Sequence, residues 1–233
     1  NYSKEINKPK LVRRLFHRLS DGLIFYTNDV AVSYNWRVPC FVMNNTLSLK
    51  ENTKEEVNID DNKIKFLVMT RFNSEKKRGD LLNDFILKLP ENKFEFHIVG
   101  DGDYLHRIDG KNITYYGALY EESKINSLFN ICDCFVHLAW TGLSIVQSLA
   151  NGKGVITLSR SNEIYHSVEF EYLKSDFSII EDNIDILIDK INVTTKKSFR
   201  KMGVSAFKYY NNYLLPEDQI KNLNIFLIQI SQS

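Results

Sequence analysis

The chain has 233 residues, 43% of them hydrophobic, enough to bury one large core or one core and part of another. Thirty Lys and Arg against twenty-nine Asp and Glu leave a formal charge of +1, so no global field argues for nucleic acid and any anion site must be local. Cys40, Cys132 and Cys134 lack disulfide or zinc spacing and no signal peptide or long apolar run is present, which predicts a reduced, cytoplasmic chain whose Asn-x-Thr sequons are chance matches.

Residues 9–19 place Leu11, Leu15 and Leu19 on one helical face and Lys10, Arg13, Arg14, His17 and Arg18 largely elsewhere. Such a helix either lies peripherally on an anionic membrane surface or packs with a solvated basic face. Ser20-Asp21-Gly22 ends it, and residues 23–26 and 40–43 read as buried strands. Residues 48–63 are acidic and amide-rich and hold a linker. From Ile64 a strand–helix alternation begins, with strands at 65–69, 94–99, 113–117 and 134–138 and helices at 81–89 and 121–131. Gly142 opens a segment in which Leu143, Val146, Gln147 and Ala150 share one helical face; Gly152 and Gly154 stop it, and residues 155–158 read as the next buried strand. A strand at 177–180 and helices near 182–191, 196–213 and 217–230 follow. The alternation predicts an α/β fold built on a Rossmann-like, doubly wound parallel sheet. The start of the helix at Gly142 would offer an anion free backbone N–H groups and the positive end of a dipole.

The run Thr141-Gly142-Leu143-Ser144-Ile145-Val146-Gln147-Ser148-Leu149-Ala150-Asn151-Gly152-Lys153-Gly154-Val155-Ile156 resembles a motif of GT-B fold glycosyltransferases, in the large retaining group often called GT4 or glycosyl transferases group 1. Its commoner form is EGxxLxxxEAMAxGxPVI, and members that build bacterial surface polysaccharides carry a run like VGLTAIHSLAYGTPVI. Val168-Glu169-Phe170-Glu171-Tyr172 is similar to the PEFEAI run of the same variant. The resemblance covers roughly residues 20–215. It implies one half of a GT-B architecture: the end of an N-terminal acceptor domain over 1–50, a linker over 51–63, a C-terminal nucleotide-sugar-binding domain over 64–215 and a crossing helix over 216–233. It also implies that the chain is a piece of a longer protein.

Three loops at the carboxyl ends of the predicted strands carry the candidate chemistry. In the first, Arg71 and one of Lys76 or Lys77 resemble the family's diphosphate-holding cations, Arg as a bidentate donor and Lys as a point charge. In the second, Gly100-Asp101-Gly102 resembles a turn whose glycines let a ligand approach the backbone. Asp101-Gly102-Asp103 also spells a DxD, which in another glycosyltransferase fold holds Mn²⁺ through hard oxygen ligands. In the third, the Leu143 and Ser144 amides and the Ser144 hydroxyl meet the distal phosphate, beside Gly142. The family's ribose-binding Glu aligns with Gln147, and its first Glu has no carboxylate counterpart near Trp140. Glu169 and Glu171 are the candidate carboxylates, and Leu119 lies in the expected base slot. Trp140 reads as a sugar-stacking face or an ordinary packed Trp, and His137 as a core or a catalytic histidine.

The function implied is transfer of a hexose from a UDP- or GDP-linked sugar to a glycan or lipid-linked acceptor, with no obligatory metal and no nucleic-acid partner. In that reading Arg71, Lys77 and Glu171 are catalytic, and Lys76, Gly100, Gly102, Leu119, Gly142, Leu143, Ser144 and Gln147 hold the donor. A nucleotide-sugar-binding module without turnover and a GT-B epimerase are the alternatives.

Overall fold

The computed structural model describes residues 15–32, 36–48, 62–105 and 108–232, with the side chains of Val30 and Lys76 outside the description. It divides into two compact units: one runs up to Thr46 and resumes at Leu214, and the other spans Leu47–Tyr213.

In the first unit β1 (Leu23–Phe25) pairs in parallel with β2 (Cys40–Val42), and a short helix, α1 (Asn28–Val32), lies between them in sequence. The closing helix of the chain packs here. Its Phe226 stacks on Phe41 at 5.4 Å between ring centroids, and Gln219 accepts the Asn44 N–H at 3.2 Å. A side chain at Gly22 would have no room, because its Cβ would stand 2.8 Å from the Phe226 ring. Residues 15–19 are helical, as their sequence predicts, but Leu15 and Leu19 are exposed rather than buried; residues 9–14, with Leu11, lie outside the described residues.

The second unit holds six parallel strands among the described residues, in the order β5-β4-β3-β6-β7-β8. In chain order these are β3 (Ile64–Met69), β4 (Phe94–Val99), β5 (Ile113–Tyr115), β6 (Cys134–Val136), β7 (Gly154–Leu158) and β8 (Ser178–Glu181). The helices that follow are α2 (Gly79–Lys88), α3 (Glu122–Ile131), α4 (Ser144–Ala150), α5 (Ile184–Val193) and α6 (Lys196–Tyr213), with α7 (Pro216–Ser231) as the closing helix of the first unit. β3, β6 and β7 are mostly apolar, with Lys65 and Thr157 the exceptions, because a strand buried on both faces by crossover helices has no solvated face to alternate with. Phe66 of β3 centres the core, with the rings of Phe85, Phe94, Phe96 and Phe199 all within 6.3 Å of its own.

Several local expectations change. The strand predicted at 134–138 ends at Val136, so His137 and Leu138 already belong to the loop that follows. Gly154 is not a helix stop but the first residue of β7, where a Cβ would come within 2.8 Å of Met202 on α6; Gly152, at φ 64°, ends α4 alone.

Because β3 is flanked by β4 on one side and β6 on the other, the winding of the sheet reverses between β3 and β6. Right-handed crossovers send the loops leaving these two strands to opposite faces, which opens a crevice at their carboxyl ends.

Candidate functional site

A cleft of about 800 Å³ occupies that crevice. Its first wall is the end of β3 and the segment after it, with Met69, Thr70, Arg71, Asn73, Ser74 and Lys77. The second is the segment after β6, with His137, Trp140, Thr141, Gly142, Leu143 and Ser144, and Ser167 and Glu169 close one side.

Among the described side chains, Arg71 and Lys77 are the cations of the first wall. Lys77 leaves a 3₁₀ turn over Glu75–Lys77 and donates from Nζ to the Trp140 carbonyl at 3.2 Å. Burial lowers its pKa, and the neighbouring Arg71 charge lowers it further, so two cations are held close in a partly desolvated site. An incoming anion would relieve both effects. Arg78, next in sequence, is engaged elsewhere: its guanidinium bonds Asp80 at 2.9 Å and Glu163 at 3.3 Å, which raises its pKa and neutralises its charge locally.

The turn at Gly100 and Gly102 serves the first wall from behind. A Cβ on Gly100 would lie 1.8 Å from the Thr70 carbonyl oxygen, and one on Gly102 would lie 2.4 Å from the Phe72 backbone. Phe72 N–H donates to the Asp101 carbonyl at 2.7 Å, and Tyr104 N–H to the Phe72 carbonyl at 2.9 Å. These glycines let the chain approach itself, at φ 140° and 133°, and thereby fix the loop that carries Arg71. Neither lines the cleft.

In the second wall, α4 begins at Ser144 with Leu143 as its N-cap, two residues later than the sequence predicts. It has seven residues, so its dipole is small and what it offers an anion is chiefly the Leu143 and Ser144 amides and the Ser144 hydroxyl, the Ile145 amide being bonded to the Gly142 carbonyl. A Cβ on Gly142 would meet only the Ser167 hydroxyl, at 4.0 Å. Glycine here keeps space open in the cleft rather than accommodating the fold. Trp140, at φ 53°, holds a left-handed conformation that is costly for a bulky residue. The Lys77 ammonium over its ring at 5.5 Å and the edge-on Tyr165 ring at 5.1 Å hold it there.

Two histidines support this wall. His166 Nε2–H donates to the Leu158 carbonyl at 2.7 Å, which leaves Nδ1 to accept the Thr141 N–H at 3.4 Å. Burial holds its pKa down to about 4, so the ring is neutral and ties the end of β7 to the second wall. His137 is buried at the cleft, with Nδ1 3.1 Å from Ser144 Oγ and Nε2 without a hydrogen-bond partner. Burial first, then Lys77 and His166, lower its pKa to about 3, against the opposing influence of the nearby Trp140 and Ala139 backbone. It is a core histidine by burial, yet it touches a residue of the cleft wall.

The carboxylate within the cleft is that of Glu169, buried and bonded to Ser167. Glu171 lies two residues along the same 3₁₀ turn and outside the wall, as do Gln147 and Leu119. Lys76 has its side chain outside the description. Among the described residues no group of three or more His, Cys, Asp or Glu side chains could hold a metal ion, and Asp101 and Asp103 are exposed. The contributions of Ser167 and His166 were not foreseen, since isolated Ser and His residues in a loop carry no sequence signal.

The family model described as glycosyl transferases group 1 matches residues 50–197, which is more than half of the chain and includes both walls of the cleft. The chain belongs to this family. No curated protein matches it in sequence. Among solved structures it is similar to a TarM variant from S. aureus in complex with fondaparinux, α-GlcNAc-glycerol and UDP, at 16% identity and a TM-score of 0.68 over 96% of this chain and 48% of that one. A glycosyltransferase from Rickettsia africae is similar at 19% identity and a TM-score of 0.71, over 98% and 69% of the two chains. The pneumococcal O-GlcNAc transferase GtfA, in complex with UDP and GlcNAc, is similar at 14% identity and a TM-score of 0.63, over 97% and 48%. These likenesses match the six-stranded parallel sheet and its flanking helices to the Rossmann-like architecture of GT-B proteins. The chain spans about half the length of the TarM and GtfA structures it resembles. No described helix is long and apolar enough to cross a membrane.

Proposed function

We propose that this chain is the nucleotide-sugar-binding half of a retaining glycosyltransferase of the GT4 group, which takes a hexose from a UDP- or GDP-linked donor. The acceptor in this reading is a glycan or lipid-linked sugar of surface-polysaccharide synthesis. The observation that carries the proposal is the pairing of Arg71 and Lys77 with the glycine-opened turn at Gly142 and Ser144 across one cleft at the switch point of the sheet. The complexes of TarM and GtfA with UDP support it.

In this mechanism Arg71 and Lys77 stabilise the diphosphate as it departs, by charge and hydrogen bonding in a partly desolvated setting where charge counts for more than in water. The amides of the Gly142 turn and the Ser144 hydroxyl complete the cradle. Glu169, rather than Glu171, faces the space a sugar would fill, and Trp140 offers it an aromatic surface. No step requires a metal ion.

Binding without turnover is the second reading, favoured by the presence of a single carboxylate, Glu169, among the described lining residues. An epimerase needs more acid–base groups around the sugar and fits this lining less well. A thermal-shift panel of UDP, GDP and ADP sugars tests the nucleotide, since a bound donor raises the apparent melting temperature by mass action. Release of free sugar or its transfer in the presence of the shifting donor separates the enzyme from the binding module. No shift with any nucleotide sugar refutes both.

A further inference from the structure

His137 and Ser144 form a pair that the proposed chemistry leaves unused. His137 is 6% exposed, its Nδ1 lies 3.1 Å from Ser144 Oγ, and its Nε2 has no hydrogen-bond partner. Both residues line the cleft, which also holds Lys77.

The distance alone allows two arrangements. In one, Ser144 donates its proton to Nδ1, so the imidazole proton sits on Nε2, a buried donor with no acceptor in hydrogen-bonding geometry. In the other, Nδ1–H donates to Ser144 Oγ, and the unpartnered Nε2 is only a lone pair. An orphaned buried N–H is the rarer and costlier of the two. The second arrangement is therefore preferred, and it leaves the Ser144 proton free to turn towards the cleft. A serine whose oxygen already accepts a hydrogen bond also becomes a better donor, because hydrogen bonds in a chain polarise one another.

We propose that His137 is a positioning residue for anion binding: its Nδ1–H fixes Ser144 as an outward-facing donor to a phosphate oxygen in the cleft. This rests on the reading of the cleft as a nucleotide diphosphate site. The groups facing the imidazole are Lys77 from the first wall and His166 from the loop beyond β7, and with burial they keep the ring neutral. A neutral ring has one proton to give, which the tautomer directs to Ser144.

A double-mutant cycle on the 233-residue chain, with UDP affinity read by titration calorimetry, tests the pair. Ser144→Ala is expected to lose about tenfold in affinity, the scale of one hydrogen bond to a charged group. His137→Phe should lose about three- to tenfold when Ser144 is present and nothing further in the Ser144→Ala background. His137→Asn, whose amide N–H can stand where Nδ1–H stands, should stay within about twofold of the parent. ¹⁵N spectra of the imidazole should show the Nδ1–H tautomer. Equal losses from His137→Phe in both backgrounds, an Nε2–H tautomer, or a His137→Asn defect as large as that of His137→Phe would each overturn the inference while the nucleotide reading stands. A parent chain that binds neither UDP, GDP nor inorganic pyrophosphate would overturn both.

Discussion

Lys77 Nζ reaches the Trp140 carbonyl at 3.2 Å and lies over the indole ring at 5.5 Å, so a cation of the loop after β3 is anchored on the loop after β6. That contact ties the two walls of the cleft together and leaves Trp140 in a left-handed conformation that few bulky residues adopt. Lys77→Met, which keeps most of the stem but removes the charge and the hydrogen bond, is expected to weaken nucleotide-sugar binding by about 1.5–3 kcal/mol. Its effect should shrink as ionic strength rises, because salt screens the Lys77 charge contribution that only the parent has. Calorimetry in low and high salt checks both statements.

Arg71→Ala is expected to cost a similar amount, about 1.5–3 kcal/mol of donor affinity. It should also relieve Lys77, whose pKa Arg71 holds down, so the lysine should titrate at a higher pH in the variant than in the parent. Lysine-resolved NMR titration reads that shift directly.

Gly142→Val and Gly100→Ala should fail in opposite ways. A side chain at Gly142 meets only the Ser167 hydroxyl at 4.0 Å, so Gly142→Val is expected to fold with a near-parental circular dichroism spectrum and melting temperature and to lose donor binding. At Gly100 a Cβ would stand 1.8 Å from the Thr70 carbonyl oxygen, on a backbone at φ 140°. Gly100→Ala should therefore destabilise the unit by several kcal/mol, on the order of the largest single-residue effects. Thermal melts beside UDP titrations separate the two outcomes.

Acid should weaken the fold through its buried histidines. His166 is held down to about 4 and His137 to about 3, whereas the unfolded chain titrates its histidines near about 6.5. Below that value the unfolded state takes up protons that the folded state refuses, so stability falls as pH drops from about 6.5 towards about 4, by up to about 1.4 kcal/mol per pH unit for each ring. Above pH 7 neither ring contributes to the slope. His97, lowered chiefly by burial, acts in the same direction. Melting temperatures across this range should fall less steeply for His166→Asn than for the parent, and a parallel slope would exclude His166 as a source.

Donor binding should survive EDTA, since the phosphates would face Arg71, Lys77, backbone amides and a hydroxyl. Loss of binding on chelation, restored by Mn²⁺ and abolished by Asp103→Ala, would move the site to Asp101 and Asp103.

The alternation of apolar runs with amphipathic segments determined the sheet by itself, because parallel strands covered on both faces must be apolar along their length while the connecting helices keep a wet side. The sequence also determined which loops meet, since ligand loops of such a sheet gather at the carboxyl ends of its strands. Arg71, Gly142, Leu143 and Ser144, singled out by that rule together with the family resemblance, all line the cleft, and so does Lys77, which the sequence left unresolved against Lys76. Residues whose surroundings come from distant parts of the chain were not. A turn of the form Gly-Asp-Gly reads the same whether ligand or backbone fills the space beside it, and only the packing of residues 70–73 against it decides for backbone. Glu169 and Glu171 differ by two steps in a 3₁₀ turn, about 240° of rotation, so one carboxylate enters the cleft and the other does not. The pairing of His137 with Ser144 depends on where β6 stops, one residue before the histidine. Strand ends are set by the partners across the sheet, and those are chosen by the tertiary structure.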